Sequence, residues 1–183
     1  MDRRQRKTRK SIYDAFEALM GKEHYSSITV AQIIEHADIG RSTFYSHFET
    51  KDDLLDQMCE EMFSHIFEGV NEQCVTHADL QATDLKGVLA HLLYHLRDTH
   101  SGICGKLISE REPHFISYFD EQLKLLFAKR VKRPAKVPEE LYFGMLVSAF
   151  VQTVSWWLDN GAEMQPEVVS GLYLKALHLE SEG

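Results

Sequence analysis

The chain has 183 residues, 44% hydrophobic and 10% aromatic, with 20 Lys+Arg against 28 Asp+Glu for a net charge of −8. This composition excludes a disordered chain and suits one good core, or a small module fused to a larger one. No apolar run approaches the roughly 18 residues that span a bilayer, and no apolar segment follows the basic start as in a secretory signal; the sequence predicts a cytoplasmic protein with no membrane partner.

The charge is unevenly divided. Residues 1–51 hold 9 Lys+Arg and 7 Asp+Glu, whereas residues 52–183 hold 11 and 21. The opening decapeptide MDRRQRKTRK alone has six basic residues and one acid, a local excess that attracts phosphates. After this arm, Ile12, Ala15, Phe16, Leu19 and Met20 recur at helical spacing up to Gly21, which predicts a first helix. In SITVAQIIEHA, Thr29 and Gln32 have the spacing of a capping box, and Ile28 and Ile33 that of its hydrophobic staple, so a second helix starts at Val30. It turns Val30, Ile33, Ile34 and Ala37 inward. Asp38 and Gly40 form the turn, because Asp tolerates a left-handed backbone and Gly accepts it freely. A third short helix runs from Arg41 to about Phe48.

Thr50 caps a fourth helix, with Asp52 and Asp53 in its first turn, where the helix dipole favours acids. Leu54, Leu55, Met58, Met62, Phe63, Ile66 and Val70 continue its apolar face to about Cys74. Further helices are predicted over about 84–99, 102–111, 114–130, 138–159 and 166–180, with Pro113, Pro138 and Pro166 placed at helix starts. Asn160-Gly161 ends the eighth. No strand-like alternation, repeat or low-complexity segment is present. The fold class is all-α with about nine helices.

Three short helices with a tight turn before the third have the geometry of a helix-turn-helix, whose third helix lies in the DNA major groove. In IGRSTFYSHFETKDDL, Ile39, Phe44 and Phe48 anchor this helix to its own core while Arg41, Ser42, Tyr45 and His47 project outward. Arg reads guanine through two hydrogen bonds, Ser and Thr serve bases or phosphates, and Tyr and His clamp the backbone. A face that merely met water would carry Glu and Lys instead.

The segment TVAQIIEHADIGRSTFYSHFETKDDLLDQM resembles the signature of the TetR family of bacterial transcriptional regulators, and the likeness covers about residues 8–58. It departs from the commonest pattern at Asp38, where the turn usually has Gly, and at Gly40, where Ser or Thr often caps the recognition helix. WWLDNGAEMQPEVVSGLYLKAL also resembles a subgroup with a break before the last helix. The resemblance implies a homodimer of all-helical subunits, a DNA-binding domain over 1–49 and an effector-binding and dimerisation domain over 50–183. It implies a repressor that binds a near-palindromic double-stranded operator and releases it when a small molecule enters the larger domain. By matching position, the DNA contacts are Thr29, Arg41, Ser42, Thr43, Tyr45, His47 and Lys51, with Arg3, Arg4 and Arg6 in a flexible arm.

The resemblance assigns a ligand cavity to helices four, five, seven and eight, and the composition there points to an apolar effector pocket. Met58, Met62, Ile66, Leu92, Phe115, Phe119, Phe143 and Phe150 are large or adaptable apolar groups there, with His95 and Tyr118 to orient a hydrophobic or aromatic ligand. Helix four, from Lys51 to the pocket, would couple the two. Gly144, Ser148, Val151 and Ser155 form a small-residue stripe on helix eight, which with Val169, Leu172, Tyr173 and Ala176 of helix nine predicts a four-helix dimer interface.

Rival readings are weaker. His91 and His95 have a metal-ligand spacing, with His100 and Cys104 not far beyond, but no acid or second pair completes a site, so no metal or cofactor is expected. Cys59, Cys74 and Cys104 read as reduced core thiols, and no basic cluster activates Cys59 or Cys104 for redox sensing. The basic residues Lys129, Arg130, Lys132, Arg133 and Lys136 read as a solvated loop at a helix end. No Gly-rich phosphate loop, nucleophile elbow or His-Glu-x-x-His pair is present, and Glu60-Glu61 fall on a polar face, which argues against an enzyme. The remaining alternatives are a metal- or redox-responsive regulator on the same fold, and a helical protein-protein adaptor.

Overall fold

The computed structural model describes residues 3–67, 84–98 and 103–179, the side chains at 62, 65, 67 and 98 excepted. Its described residues form nine α-helices and no strand: α1 (Arg3–Met20), α2 (Val30–His36), α3 (Arg41–Tyr45), α4 (Lys51–Phe67), α5 (Leu85–Asp98), α6 (Ile103–Ser109), α7 (Pro113–Arg130), α8 (Glu139–Asp159) and α9 (Pro166–Ala176), with a 3-10 turn at Tyr25–Ser27.

Local chemistry explains most boundaries. The capping box at α2 is closed in both directions, Gln32 N donating to Thr29 Oγ1 (3.3 Å) and Thr29 N to Gln32 Oε1 (2.8 Å). Ile28 and Ile33 are buried beside it as the staple requires. Thr50 Oγ1 accepts from Asp53 N (3.0 Å) to start α4, while the Asp53 carboxylate accepts from Glu49 N (2.8 Å). Asp38 takes the left-handed backbone (φ 51). Gly40, by contrast, is an extended N-cap with φ −75 and ψ 150, so the turn does not need its conformational freedom. Pro113 and Pro166 open α7 and α9, whereas Pro138 is the N-cap residue of α8 rather than its first helical one. At Gly161 φ reaches +75, ending α8 as anticipated.

Two expectations need correction. The basic arm is helical from Arg3, continuous with α1, rather than a flexible tail. Helix α8 is also apolar enough to cross a membrane by length and composition, with mean hydropathy 1.3. Its apolar groups are used otherwise: Phe143, Leu146, Val147, Phe150, Val154 and Trp157 are buried against neighbouring helices, each worth about 1.5–3 kcal/mol.

The first three helices enclose Ile12, Phe16, Leu19, Ile33, Phe44 and Phe48, and Ser11 Oγ donates across to the Ala37 carbonyl (3.1 Å) at the end of α2. Behind them α5 is the central helix, packed on α4, α6 and α9, while α7 lies against α4 and α8. The buried apolar residues form one cluster that runs from Ile12 to Leu174.

Candidate nucleic-acid interface

The α3 helix is a single anchored turn. Phe44 is fully buried and packs 5.8 Å from Phe48, which in turn sits 5.9 Å from Tyr13 of α1. With the apolar side fixed, the opposite side must face out. Arg41 and Ser42 are exposed, and so is Tyr45 at 45%, a large fraction for an aromatic. The Arg41 guanidinium lies 5.7 Å from the Tyr45 ring centroid, and the Tyr45 ring meets Phe44 edge-on at 5.5 Å. An exposed arginine stacked on an aromatic is held in a limited set of positions, which favours two-bond contact to a guanine edge. Thr43 and His47 are half-buried at the flanks of this face, His47 leaning 6.1 Å from Phe48. Ser46 Oγ donates to the Thr43 carbonyl (2.7 Å), closing the end of the helix.

Other predicted contacts are placed differently. Thr29 is exposed, but its hydroxyl both donates to Gln32 Oε1 (2.8 Å) and accepts from Gln32 N, so it serves the cap of α2. Lys51 does not join the outward face. Its ammonium donates to the carbonyls of Tyr25 (2.7 Å) and Ile28 (2.9 Å) and lies 4.0 Å from the Tyr25 ring centroid. Burial holds its pKa below the usual lysine value against the opposing pull of Asp52 and Glu112. Arg3, Arg4 and Arg6 are exposed on the first turns of α1.

Sequence reasoning missed Arg9. Its guanidinium sits 5.3 Å from the ring centroids of both Tyr13 and Phe48, its Nε donates to Tyr13 Oη (3.0 Å), and it pairs with Glu61 Oε1 at 2.6 Å. It joins α1, the end of the recognition turn and α4. The spacing Arg9 to Tyr13, four residues on a helix, was the available signal.

The expected effector residues fall into two groups. Phe63, a neighbour that composition did not single out, lies 6.2 Å from Phe119 and 6.4 Å from His95, and Phe115 stacks on Phe119 at 5.6 Å. Met58, Ile66 and Leu92 are buried on the same helices and Tyr118 is half-buried, its hydroxyl pKa raised by burial. Phe143 and Phe150 lie apart from that group. Phe150 packs on Phe127 and Tyr173, and Phe143 borders a surface groove of about 310 Å³ with Leu125 and Ala128. A larger groove of about 710 Å³ is lined by Asp120, Lys124, Tyr142, Met145, Ser148 and Leu177, not by α4 or α5. The Met62 side chain, and all of Cys74 and His100, lie outside the described residues.

His91 and His95 are buried with Nε2 atoms 3.2 Å apart. Among the described residues no group of three metal-ligating side chains forms around them. Cys59 and Cys104 are buried, and the hydrogen bond to Cys104 together with burial pushes the Cys59 thiol up, away from the thiolate that oxidation requires.

The predicted dimer residues also divide. Gly144, Ser148, Val151, Leu172 and Ala176 reach the surface at least in part, but Ser155, Val169 and Tyr173 are buried within the subunit. Tyr173 Oη donates to the Leu146 carbonyl (2.8 Å). The exposed large apolar residues of these helices are Leu141, Met145 and Trp156 on α8, at helical spacing with exposed Ser148, and Val168 and Leu172 on α9.

Residues 12–58 match the model of bacterial regulatory proteins of the tetR family, and residues 83–178 match that of a transcriptional regulator C-terminal region. The chain belongs to the TetR family of transcriptional regulators. A TetR transcriptional regulator from Streptococcus agalactiae 2603V shares 32% identity, with 96% of each chain covered and a TM-score of 0.75. The uncharacterized HTH-type transcriptional regulator YxbF of Bacillus subtilis is 26% identical over 188 residues, covering 98% of this chain and 47% of that protein. The dhaKLM operon activator DhaS of Lactococcus lactis is 37% identical over 59 residues, 32% of each chain. The chain thus spans about half the length of YxbF. NalD of Pseudomonas aeruginosa, a secondary repressor of a multidrug efflux pump, has the same fold at 19% identity, 97% and 96% coverage and a TM-score of 0.64.

Proposed function

We propose that this TetR-family regulator is a repressor that binds a near-palindromic operator as a homodimer and releases it when a small hydrophobic or aromatic effector enters the larger domain. The carrying observation is the outward face of α3, where Arg41, Ser42 and Tyr45 are exposed on a turn anchored by Phe44 and Phe48. Residues 1–49 bind DNA in this reading and residues 50–183 bind the effector and the second subunit. Arg41 reads a base, Ser42, Thr43, Tyr45 and His47 contact bases or backbone, and Arg3, Arg4 and Arg6 meet phosphates beside the groove. Thr29 contributes through its exposed position at the start of α2.

The apolar stripe of α8 and α9 supports dimerisation, because exposed Leu141, Met145, Trp156, Val168 and Leu172 are costly to leave in water. The cluster of Met58, Ile66, His95, Phe115 and Phe119 between α4, α5 and α7 supports an apolar effector, bound by rearranging that core. Such a regulator acts where the chromosome is, in the cytoplasm.

The test is selection of bound duplexes from fragmented genomic DNA, followed by binding at increasing salt. An operator contacted through phosphates loses affinity steeply as salt rises. A chain that retains no duplex, or whose binding ignores both sequence and salt, is not an operator-binding protein. A reporter behind the selected operator then distinguishes repression from activation, the activity named for DhaS.

A further inference from the structure

The connector between α1 and α2 is gripped at both ends by ammonium groups from the larger bundle. From α6, Lys106 Nζ donates to the carbonyls of Met20 (2.5 Å) and Glu23 (2.9 Å). At the start of α4, Lys51 Nζ donates to the carbonyls of Tyr25 (2.7 Å) and Ile28 (2.9 Å). Two more contacts repeat the division: His24 Nδ1 lies 2.9 Å from Glu110 Oε1 of the α6–α7 turn, and the Tyr25 hydroxyl donates to Asp52 of α4.

Met20 is the last residue of α1, so its carbonyl has no acceptor role within the helix. Lys106 therefore caps α1 from another part of the chain, and its positive charge meets the negative end of the helix dipole. The position of that ammonium is fixed by what lies behind it. A Cβ on neighbouring Gly105 would stand 3.4 Å from Leu158 of α8 and 3.4 Å from the Leu96 carbonyl of α5, so α6 is seated closely on α5 and α8. Lys51 belongs to α4 and has no part in that seat. The two lysines thus report the positions of two different groups of helices to one short connector, which leads directly into α2 and the recognition turn.

We propose that Lys106 is a positioning residue: by capping α1 and holding the Met20–Glu23 end of the connector, it sets the orientation of the DNA-binding module on α6. A displacement of α6 relative to α4 pulls the Met20–Glu23 end of the connector against its Tyr25–Ile28 end. That changes the angle at which α2 and α3 are presented, and with it the spacing of the recognition helices in a dimer. This inference rests on the operator-binding reading.

The test uses the full chain and the duplex that the wild type selects. Lys106→Met keeps the aliphatic stem and removes the donor; Lys106→Arg keeps a donor able to reach two carbonyls. Lys106→Met should weaken binding to the selected duplex about fivefold or more while its base preferences stay those of the wild type, and Lys106→Arg should restore most of the affinity. Amide hydrogen exchange should rise at Gly21, Lys22 and Glu23, whose amides bond to carbonyls of the last turn of α1, with α8 unchanged. A Lys106→Met protein that matches the wild type in both duplex affinity and connector exchange overturns the proposal. So does one whose affinity falls only in step with a general loss of thermal stability that Lys106→Arg does not reverse. If the wild type selects no duplex, the operator reading fails by itself, and unchanged exchange at 21–23 in Lys106→Met still counts against the clasp.

Discussion

The Lys51 ammonium lies 4.0 Å from the ring centroid of Tyr25 and donates to that residue's own carbonyl at 2.7 Å. The side chain therefore joins α4 to the connector and commits two of its three ammonium donors to backbone carbonyls. Lys51→Met should lower stability by about 1–3 kcal/mol, since each charge-assisted bond is worth that order once its acceptors are left buried. Its operator affinity should fall without loss of a unit from the slope of log affinity against log salt, whereas a phosphate contact would take about one unit away. Chemical denaturation together with a salt titration reads both quantities. A slope reduced by one at unchanged stability would return Lys51 to the DNA surface.

The second expectation concerns Arg41, whose guanidinium stacks on the exposed Tyr45 ring at 5.7 Å. Arg41→Ala should relax base preference at one position of each half-site by about 1–3 kcal/mol. Tyr45→Ala should reduce the same discrimination by a smaller amount, because it removes the surface that limits the arginine's positions, and it should also weaken all sequences alike. Binding to a randomised operator set separates the two effects. An unchanged preferred sequence in Arg41→Ala would make that residue a backbone contact only.

The DNA-binding module was legible because its determinants are local. The Thr29–Gln32 box, the Ile28–Ile33 staple and the Asp38 turn each lie within a few residues, and the pattern of Phe44 and Phe48 shows which side of α3 must be buried. Lys51 and Lys106 were not legible in this way. A charged residue near a helix end looks the same in sequence whether it faces water or reaches a carbonyl more than 80 residues away, as Lys106 does at Met20. The burial of part of the expected dimer stripe escapes the sequence for a related reason. Small residues at helical spacing mark where something can approach closely, but Val169 and Tyr173 are covered within the subunit, and Glu167 is already bonded to the Tyr94 hydroxyl of α5 at 3.0 Å.

The exposed stripe and the buried residues of α8 and α9 should consequently respond in opposite ways. Met145 is 61% exposed and Leu172 48% exposed, so Met145→Arg or Leu172→Glu should produce monomers in sedimentation while the folded subunit persists. Tyr173→Phe removes the hydroxyl donor to the Leu146 carbonyl, which keeps its bond within α8, and should cost about 0.5–1.5 kcal/mol without altering the surface. Ser148→Arg tests the centre of the stripe, since Ser148 is exposed there. Monomers from Tyr173→Phe but not from Met145→Arg would place the subunit contact elsewhere.

In the proposed reading, Phe119 governs how an effector is received. Its ring is fully buried, stacked on Phe115 at 5.6 Å and tilted against Phe63 at 6.2 Å, so a larger side chain has to displace neighbours. Phe119→Trp should overpack this cluster and cost about 1–3 kcal/mol, and Phe119→Ala should open a cavity at a cost of about 3–5 kcal/mol. If apolar effectors enter between α4, α5 and α7, the cavity variant should recover stability when a small aromatic such as benzene or indole is added, by the linkage between binding and folding. The wild type should bind the same probes more weakly, because it must first open the Phe63–Phe115–Phe119 stack. An effector found to release operator DNA should then lose potency against Phe119→Trp by about tenfold or more, the change that 1.4 kcal/mol of extra opening cost imposes. Full potency against that variant, with no stabilisation of Phe119→Ala by any small aromatic, would move the effector site away from this cluster, and the groove beside Tyr142 and Met145 would be the next place to test.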